Sequence, residues 1–210
     1  MAIITQEQMK NVLDTCYKKA LEGLPGSESV IDLSQEYIDK YRSRSKASEK
    51  LAANQVLKCG TSGFITGLGG LITLPVAIPV NISSVIYMQL RMIASIAYIG
   101  GYDPSDDEVQ TMAYLCLTGT AMSDVVKSTG IKVGEKVSIN LIKKIPGTVL
   151  TKINQKVGFR LITKFGEKGI INLAKMVPLV GGIIGGGVDL AGTKVIGNKA
   201  INVFINGVIE

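Results

Sequence analysis

The longest uncharged stretch of the chain covers residues 59–90, CGTSGFITGLGGLITLPVAIPVNISSVIYMQL. Its 32 residues are enough to cross a bilayer once. Glycines and prolines interrupt it, however, so each half is shorter than a regular span. We therefore predict two apolar helices joined by a proline-bounded turn and packed through small residues. The alternatives are a buried hairpin in a soluble core, insertion into the membrane interface, and a true span.

A second glycine-rich stretch lies near the carboxyl end and is uncharged over residues 176–188. Its glycines recur four residues apart, which leaves one helical face as bare backbone that a neighbouring helix can approach closely. We predict that the two stretches pack against each other. The predicted packing residues are Gly63, Gly67, Gly70, Gly181, Gly182, Gly185 and Gly186. Neither stretch ends in the Gly-Lys-Ser/Thr of a phosphate loop, so nucleotide binding is not predicted.

Composition narrows the chemistry of the 210-residue chain. Apolar residues make up 46% of it, which excludes a disordered protein, and there is no histidine for a triad or a metal site based on imidazole. The three cysteines are far apart and contain no CxxC pair, which argues against a disulfide framework and a structural zinc site. The sequence names no reaction, and we predict neither a catalytic residue, nor a metal, nor a cofactor.

The remaining segments are typical of amphipathic helices. Thr5 and Gln8 form a capping-box pattern that begins a first helix, and a second helix is expected from about residue 29 or 34 to residue 57. A third should run from Pro79 to about residue 99. The acidic run 103–108 predicts the start of a helix that continues to about residue 127, with a metal site as the less favoured alternative. We predict residues 1–56 as amino-terminal amphipathic helices and 57–210 as the main helical domain.

Positive charge is concentrated in one segment. Residues 1–126 carry 10 Lys or Arg and 13 Asp or Glu, whereas residues 127–175 carry 11 and 2. Within that segment, five cations recur every fourth residue beside a parallel apolar stripe, a pattern typical of a helix at an anionic membrane surface. These cations are Lys152, Lys156, Arg160, Lys164 and Lys168. The alternative is an ordinary surface helix, and the scarcity of aromatic residues argues against nucleic acid.

Two ionisable residues lie inside apolar sequence, Arg91 and Asp189. A lone charge in such surroundings costs several kcal/mol, so each needs a partner or access to water. We predict that they form a buried pair between the two glycine-rich units, with Gln89 or Thr193 adding hydrogen bonds. The alternative is that each emerges at a helix end.

Four ordered blocks resemble the EcsC protein family: GFITGLGGLITLPVAIP, QLRMIASIAYIGGYD, INQKVGFRLITKFGEKG and VPLVGGIIGGGVDLAGTKVIGNKA. The resemblance runs from about residue 57 to residue 200 and leaves the first 50 or so residues outside it. The family's shared operon with an ABC transporter implies a bacterial, membrane-linked context and a possible membrane-protein partner. It supplies no catalytic residue.

Together these observations predict an all-α, single-domain helical bundle built around two glycine-rich apolar segments. We expect a non-enzymatic protein that binds anionic membrane lipids through the basic helix, 149–168, while the hairpin of residues 63–90 supplies apolar depth. No secretory signal is recognisable, so we expect a cytoplasmic protein at the inner face of the cell membrane. One alternative is a soluble helical module that binds an apolar ligand or a partner protein. Another is an enzyme using Asp103, Arg91 and Asp189.

Overall fold

The fold was analysed in a computed structural model, which describes residues 5–59, 80–130, 138–165 and 183–209. Within these ranges the side chains of 80–82, 164–165 and 183–189 are not described. The helices are α1 (Gln6–Glu22), α2 (Val30–Lys40), α3 (Arg44–Cys59), α4 (Val80–Gly100), α5 (Asp107–Cys116), α6 (Met122–Lys127), α7 (Ile139–Ile142), α8 (Gly147–Phe165) and α9 (Ile183–Phe204). A 3-10 helix at Gly119–Ala121 precedes α6. The predicted all-α class is confirmed.

Helix α1 begins where the sequence predicted. The Thr5 hydroxyl accepts a hydrogen bond from the Gln8 backbone N–H at 3.2 Å, and the Thr5 N–H donates to the Gln8 side chain at 2.9 Å. This reciprocal capping box satisfies two backbone donors that the first helical turn leaves unpaired. The helix ends at Gly23, whose φ of 80° is readily accessible only to glycine.

The predicted second helix is wrong in its continuity, because two helices cover that region. Tyr41 adopts an extended backbone with φ −123° and ψ 122°, which ends α2. Helix α3 then begins at Arg44, and the Ser43 carbonyl accepts from the Ala47 N–H at 2.9 Å.

Helix α4 forms the centre of the bundle. It contacts α1, α2, α3, α5 and α9, and its side chains from residue 83 to residue 97 are all buried. A helix that is apolar over most of its circumference is stable in water only when neighbours surround it. Its bounds agree with the prediction from Pro79 to about residue 99. Of the predicted 63–90 hairpin the structure describes residues 80–90, and the side chains of residues 83–90 are buried in the protein core.

The helix predicted from the acidic run is also interrupted. Helix α5 has Asp107 and Glu108 in its first turn, as expected for acids at a helix start, but it ends at Cys116. Gly119 has a φ of 58°, and the 3-10 helix there separates α5 from α6. Asp103 lies before the helix, where its carboxylate accepts hydrogen bonds from the Ser105 N–H and hydroxyl at 2.9 and 2.6 Å.

Helices α4 and α9 each begin within one of the two uncharged stretches, and they run parallel in direct contact. Gln89 hydrogen bonds to Thr193, and a Cβ added at Gly197 would lie 3.3 Å from the Met92 sulfur. A Cβ at Gly100 would lie only 2.3 Å from the Phe204 carbonyl oxygen. Glycine therefore permits the close approach of these two helices at their carboxyl ends.

The structure does not describe the packing contacts of the glycines that the sequence singled out. Gly185 and Gly186 lie on α9, and their contacts are not described. The remaining five, Gly63, Gly67, Gly70, Gly181 and Gly182, lie outside the described residues. Their packing role stays a prediction.

The first three helices share the core of the rest. Helices α1, α2 and α3 all pack on α4, and their buried side chains belong to one cluster with those of α4, α5, α8 and α9. The described residues of the region predicted as 1–56 therefore belong to the same helical bundle and share its hydrophobic core.

Candidate membrane-binding face

Helix α8 carries the positive residues that the sequence singled out. It packs on α1, α5 and α6 through a buried stripe of Ile153, Val157 and Leu161. Asn154 donates a hydrogen bond to the Thr111 hydroxyl at 3.2 Å, which fixes the rotation of α8 against α5. The apolar stripe beside the cations is therefore core, as the ordinary-surface-helix alternative supposed.

The opposite side of α8 is exposed, and we call it the cationic face. It consists of Thr151, Lys152, Gln155, Lys156, Phe159, Arg160 and Thr163. These residues recur at helical spacing, so their side chains share one surface. Lys164 lies on α8, but its side chain is outside the described residues, as is the whole of Lys168.

Few acids balance the charge of this region. Between residues 136 and 166 the sequence contains seven Lys or Arg and no Asp or Glu. In space, Asp124 of α6 lies 3.7 Å from the Arg160 guanidinium, with 69% of the acid's side chain exposed. An exposed pair at this distance contributes little stability and leaves the guanidinium available to another anion.

Lys143, in contrast, is already engaged. Its ammonium group lies 2.9 Å from the Asp106 carboxylate. This close contact with the Asp106 carboxylate, together with the negative charge nearby, raises the pKa of Lys143. We therefore leave Lys143 out of the cationic face.

Phe159 is the feature that sequence reasoning missed. The candidate residues predicted from the sequence do not include it, yet 56% of its surface is exposed on the cationic face. The signal was present in the spacing, because Phe159 falls outside the register of Ile153, Val157 and Leu161. Only the packing of α8 shows which register is buried.

The described residues line at least two surface depressions. One, of about 190 Å³, borders the cationic face and is lined by Thr118, Ala121, Arg160, Leu161 and Thr163. The hydroxyls of Thr118 and Thr163 donate hydrogen bonds to backbone carbonyls. Arg160 is the charged residue that lines this depression. The other, of about 470 Å³, has a neutral lining that includes Tyr102, Asn140 and Phe204.

The predicted pair of Arg91 and Asp189 stays a prediction, because the Asp189 side chain lies outside the described residues. Arg91 is 4% exposed, and its Nη2 donates to the Glu28 carbonyl at 2.7 Å. Two residues earlier, the Gln89 amide donates to the Thr193 hydroxyl at 2.9 Å. Positions two apart diverge by about 200° around a helix, so these two side chains leave α4 in different directions.

Asp103, an acid considered for catalysis and for metal binding, has a structural role in the turn before α5. The Ser105 hydrogen bonds lower the pKa of Asp103, which therefore carries a negative charge at neutral pH. Among the described residues, no group of Cys, Asp and Glu side chains has the arrangement of a metal site.

Fold and surface together define an all-α bundle with one outward cationic helix face. The chain belongs to the EcsC protein family, whose family model matches residues 3–205. The match includes α1, α2 and α3, so the family extends further towards the amino terminus than the four sequence blocks indicated. Neither a curated protein nor a solved structure matches the chain significantly. In the part of the chain that the structure describes, every helix is too short or too polar to cross a membrane.

Proposed function

We propose that this EcsC family member is a non-enzymatic peripheral protein that binds anionic lipid headgroups through the cationic face of α8. The observation that supports it is the exposure of Lys152, Lys156 and Arg160 on one side of a helix without a single acid. Phosphate groups on a membrane surface complement such a field. The proposed location is the cytoplasmic face of the cell membrane, and a membrane protein such as a transporter is a further proposed partner.

The packing of α8 determines the kind of attachment we propose. Since Ile153, Val157 and Leu161 are buried in the core, the helix cannot sink its whole apolar stripe into a bilayer. Residues 83–90 are buried as well, so the proposal does not use them. Attachment then depends mainly on charge, at about 1 kcal/mol for each Lys or Arg near an anionic surface.

Flotation with lipid vesicles tests this proposal. The wild-type protein should float with vesicles that contain phosphatidylglycerol and stay behind with vesicles of phosphatidylcholine alone. The triple variant Lys152→Gln, Lys156→Gln, Arg160→Gln should bind about 100-fold more weakly, since it loses about 3 kcal/mol of attraction.

A matched control removes the same charge elsewhere. Lys40, Lys46 and Lys50 are exposed on α2 and α3, which pack on α4 rather than on α8. Their change to Gln should leave binding within a factor of about three of wild type, because charges more than a Debye length from the lipid are screened. Absence of wild-type binding to both vesicle types, or an equal loss in both triple variants, would contradict the proposal.

A further inference from the structure

Exposed apolar side chains could add to membrane binding a contribution that charge does not provide. The described residues include four large hydrophobic side chains that are more than half exposed: Ile31, Leu57, Leu141 and Phe159. Single exposed hydrophobics are normal on protein surfaces, so exposure alone means little. Phe159 differs in its neighbours, because it lies on the cationic face.

The helical register places the ring among the cations. Phe159 follows Lys156 by three residues and precedes Arg160, and all three side chains are exposed. Residues three apart on a helix are neighbours on its surface. Any anionic surface that these cations approach is therefore brought against the ring as well.

Ile31 provides the contrast. It is 53% exposed on α2, a similar fraction, but its neighbours Glu28 and Asp32 are exposed acids. The same kind of apolar side chain there is held away from an anionic surface by like charge. The two sites therefore separate the effect of exposure from the effect of electrostatic surroundings.

We propose that Phe159 is the apolar anchor of the cationic face and inserts between the anionic lipid headgroups that Lys152, Lys156 and Arg160 contact. This inference rests on the proposed function and adds a second energetic component to it. Coulomb attraction weakens as salt screens it, whereas transfer of the ring out of water does not depend on screening. Phe is one of the apolar side chains that helices lying at the membrane surface bury at the boundary between headgroups and acyl chains.

Fluorescence tests the insertion directly, because the chain contains no tryptophan. In the variant Phe159→Trp the single indole reports the environment at that position. On vesicles containing phosphatidylglycerol its emission should shift to the blue, and lipids brominated near the headgroup end of the acyl chain should quench it. The variant Ile31→Trp, bound to the same vesicles, should show neither effect.

Binding strength gives a second readout. The variant Phe159→Ser should bind vesicles containing phosphatidylglycerol about tenfold more weakly, as expected for the exposed half of a Phe side chain. That loss should be the same at every salt concentration, because the charges are intact. Phe159→Leu, which keeps an apolar side chain, should recover most of the binding.

The outcomes distinguish the two proposals. If the protein floats with anionic vesicles but the Phe159→Trp emission is unchanged and Phe159→Ser binds as wild type, the anchor is overturned and the proposed function stands. If the wild type does not float at all, both are overturned.

Discussion

Arg160 is the cation of α8 whose availability depends most on a neighbour. Asp124 lies 3.7 Å from its guanidinium and adds negative charge beside the surface proposed to meet lipid. The acid therefore competes with a headgroup for Arg160 and is itself repelled by an anionic bilayer.

Removing this competition should strengthen binding. We expect the variant Asp124→Asn to raise the affinity for anionic vesicles about fivefold, which corresponds to about 1 kcal/mol. The measurement is a vesicle titration at low salt, with Glu36→Gln on α2 as a control that removes an acid far from α8. An equal gain in both variants would attribute the effect to net charge and contradict the specific role of Asp124.

The burial of two thiols predicts that the stability of the protein decreases at alkaline pH. Desolvation raises the pKa of Cys16 and of Cys116 from 9.0 to about 12. The unfolded chain therefore releases these protons at lower pH than the folded chain, so the free energy of unfolding should fall as pH rises from 9 towards 12. Burial also raises the pKa of Tyr17 and Tyr114, which should add to the loss above their ordinary value of 10.

Denaturant unfolding at about pH 8 and about pH 10 measures this effect, with a loss on the order of 1 kcal/mol per thiol for each pH unit above 9. The double variant Cys16→Ala, Cys116→Ala should have a shallower dependence on pH, whatever its stability at neutral pH. If the free energy of unfolding of the double variant depended on pH as steeply as that of the wild type, the thiols would not be the cause of the loss.

At the scale of helices, one glycine of α4 and one glycine of α9 differ in what surrounds them. Gly100 permits the approach, because a Cβ there would lie 2.3 Å from the Phe204 carbonyl oxygen. Gly192, on α9, has nothing within 4 Å of the corresponding position. These two glycines have the same chemistry and opposite surroundings.

Alanine substitution should separate them. Gly192→Ala should stabilise the protein by about 0.5–1 kcal/mol, because alanine favours the helical backbone. Gly100→Ala should destabilise it by roughly 1–3 kcal/mol or more, because backbone has to move. Thermal unfolding measures both, and a neutral Gly100→Ala would contradict the close approach.

The hydrogen bond between Gln89 and Thr193 ties the same two helices through their buried faces. Either Gln89→Leu or Thr193→Val alone should cost about 1–3 kcal/mol, because the remaining polar group is left buried without its partner. The double variant should cost less than the sum of the two. Additive losses in the denaturant midpoint would mean that the pair is not coupled.

Local chemistry explains which helices the sequence predicted well. The capping box at Thr5 and the prolines and glycines around α4 act within a few residues, so their effect is visible in the sequence. The break at Tyr41 and the 3-10 helix at Gly119 were missed, because the apolar spacing on either side is compatible with one continuous helix. Those breaks depend on how α3 and α6 pack against the rest of the bundle.

The same distinction applies to the candidate site. Lys152, Lys156 and Arg160 are four residues apart, and this spacing was sufficient to predict that they share one face of a helix. Which side of α8 is buried is a tertiary fact, because α1 and α5 cover the Ile153 stripe. That fact makes Phe159 an exposed side chain and places the Ile153 stripe in the core. Residues 83–90 are buried for a separate reason, because α1, α2, α3, α5 and α9 surround α4.

For the whole molecule, the distribution of charge along the chain is the property that supports binding to an anionic surface. Residues 1–126 have a net charge of −3 and the segment 127–175 has a net charge of +9. A molecule polarised in this way should orient its cationic face towards an anionic surface before contact. The family relation is compatible with this arrangement and specifies no reaction.

The salt dependence of vesicle binding tests this account most directly. Partition of the wild-type protein onto vesicles containing phosphatidylglycerol should fall steeply as salt rises, and the variant Lys152→Gln, Lys156→Gln, Arg160→Gln should show both weaker binding and a shallower dependence. Binding that salt leaves unchanged, or a triple variant with the wild-type salt dependence, would contradict the claim that the cationic face of α8 meets the membrane.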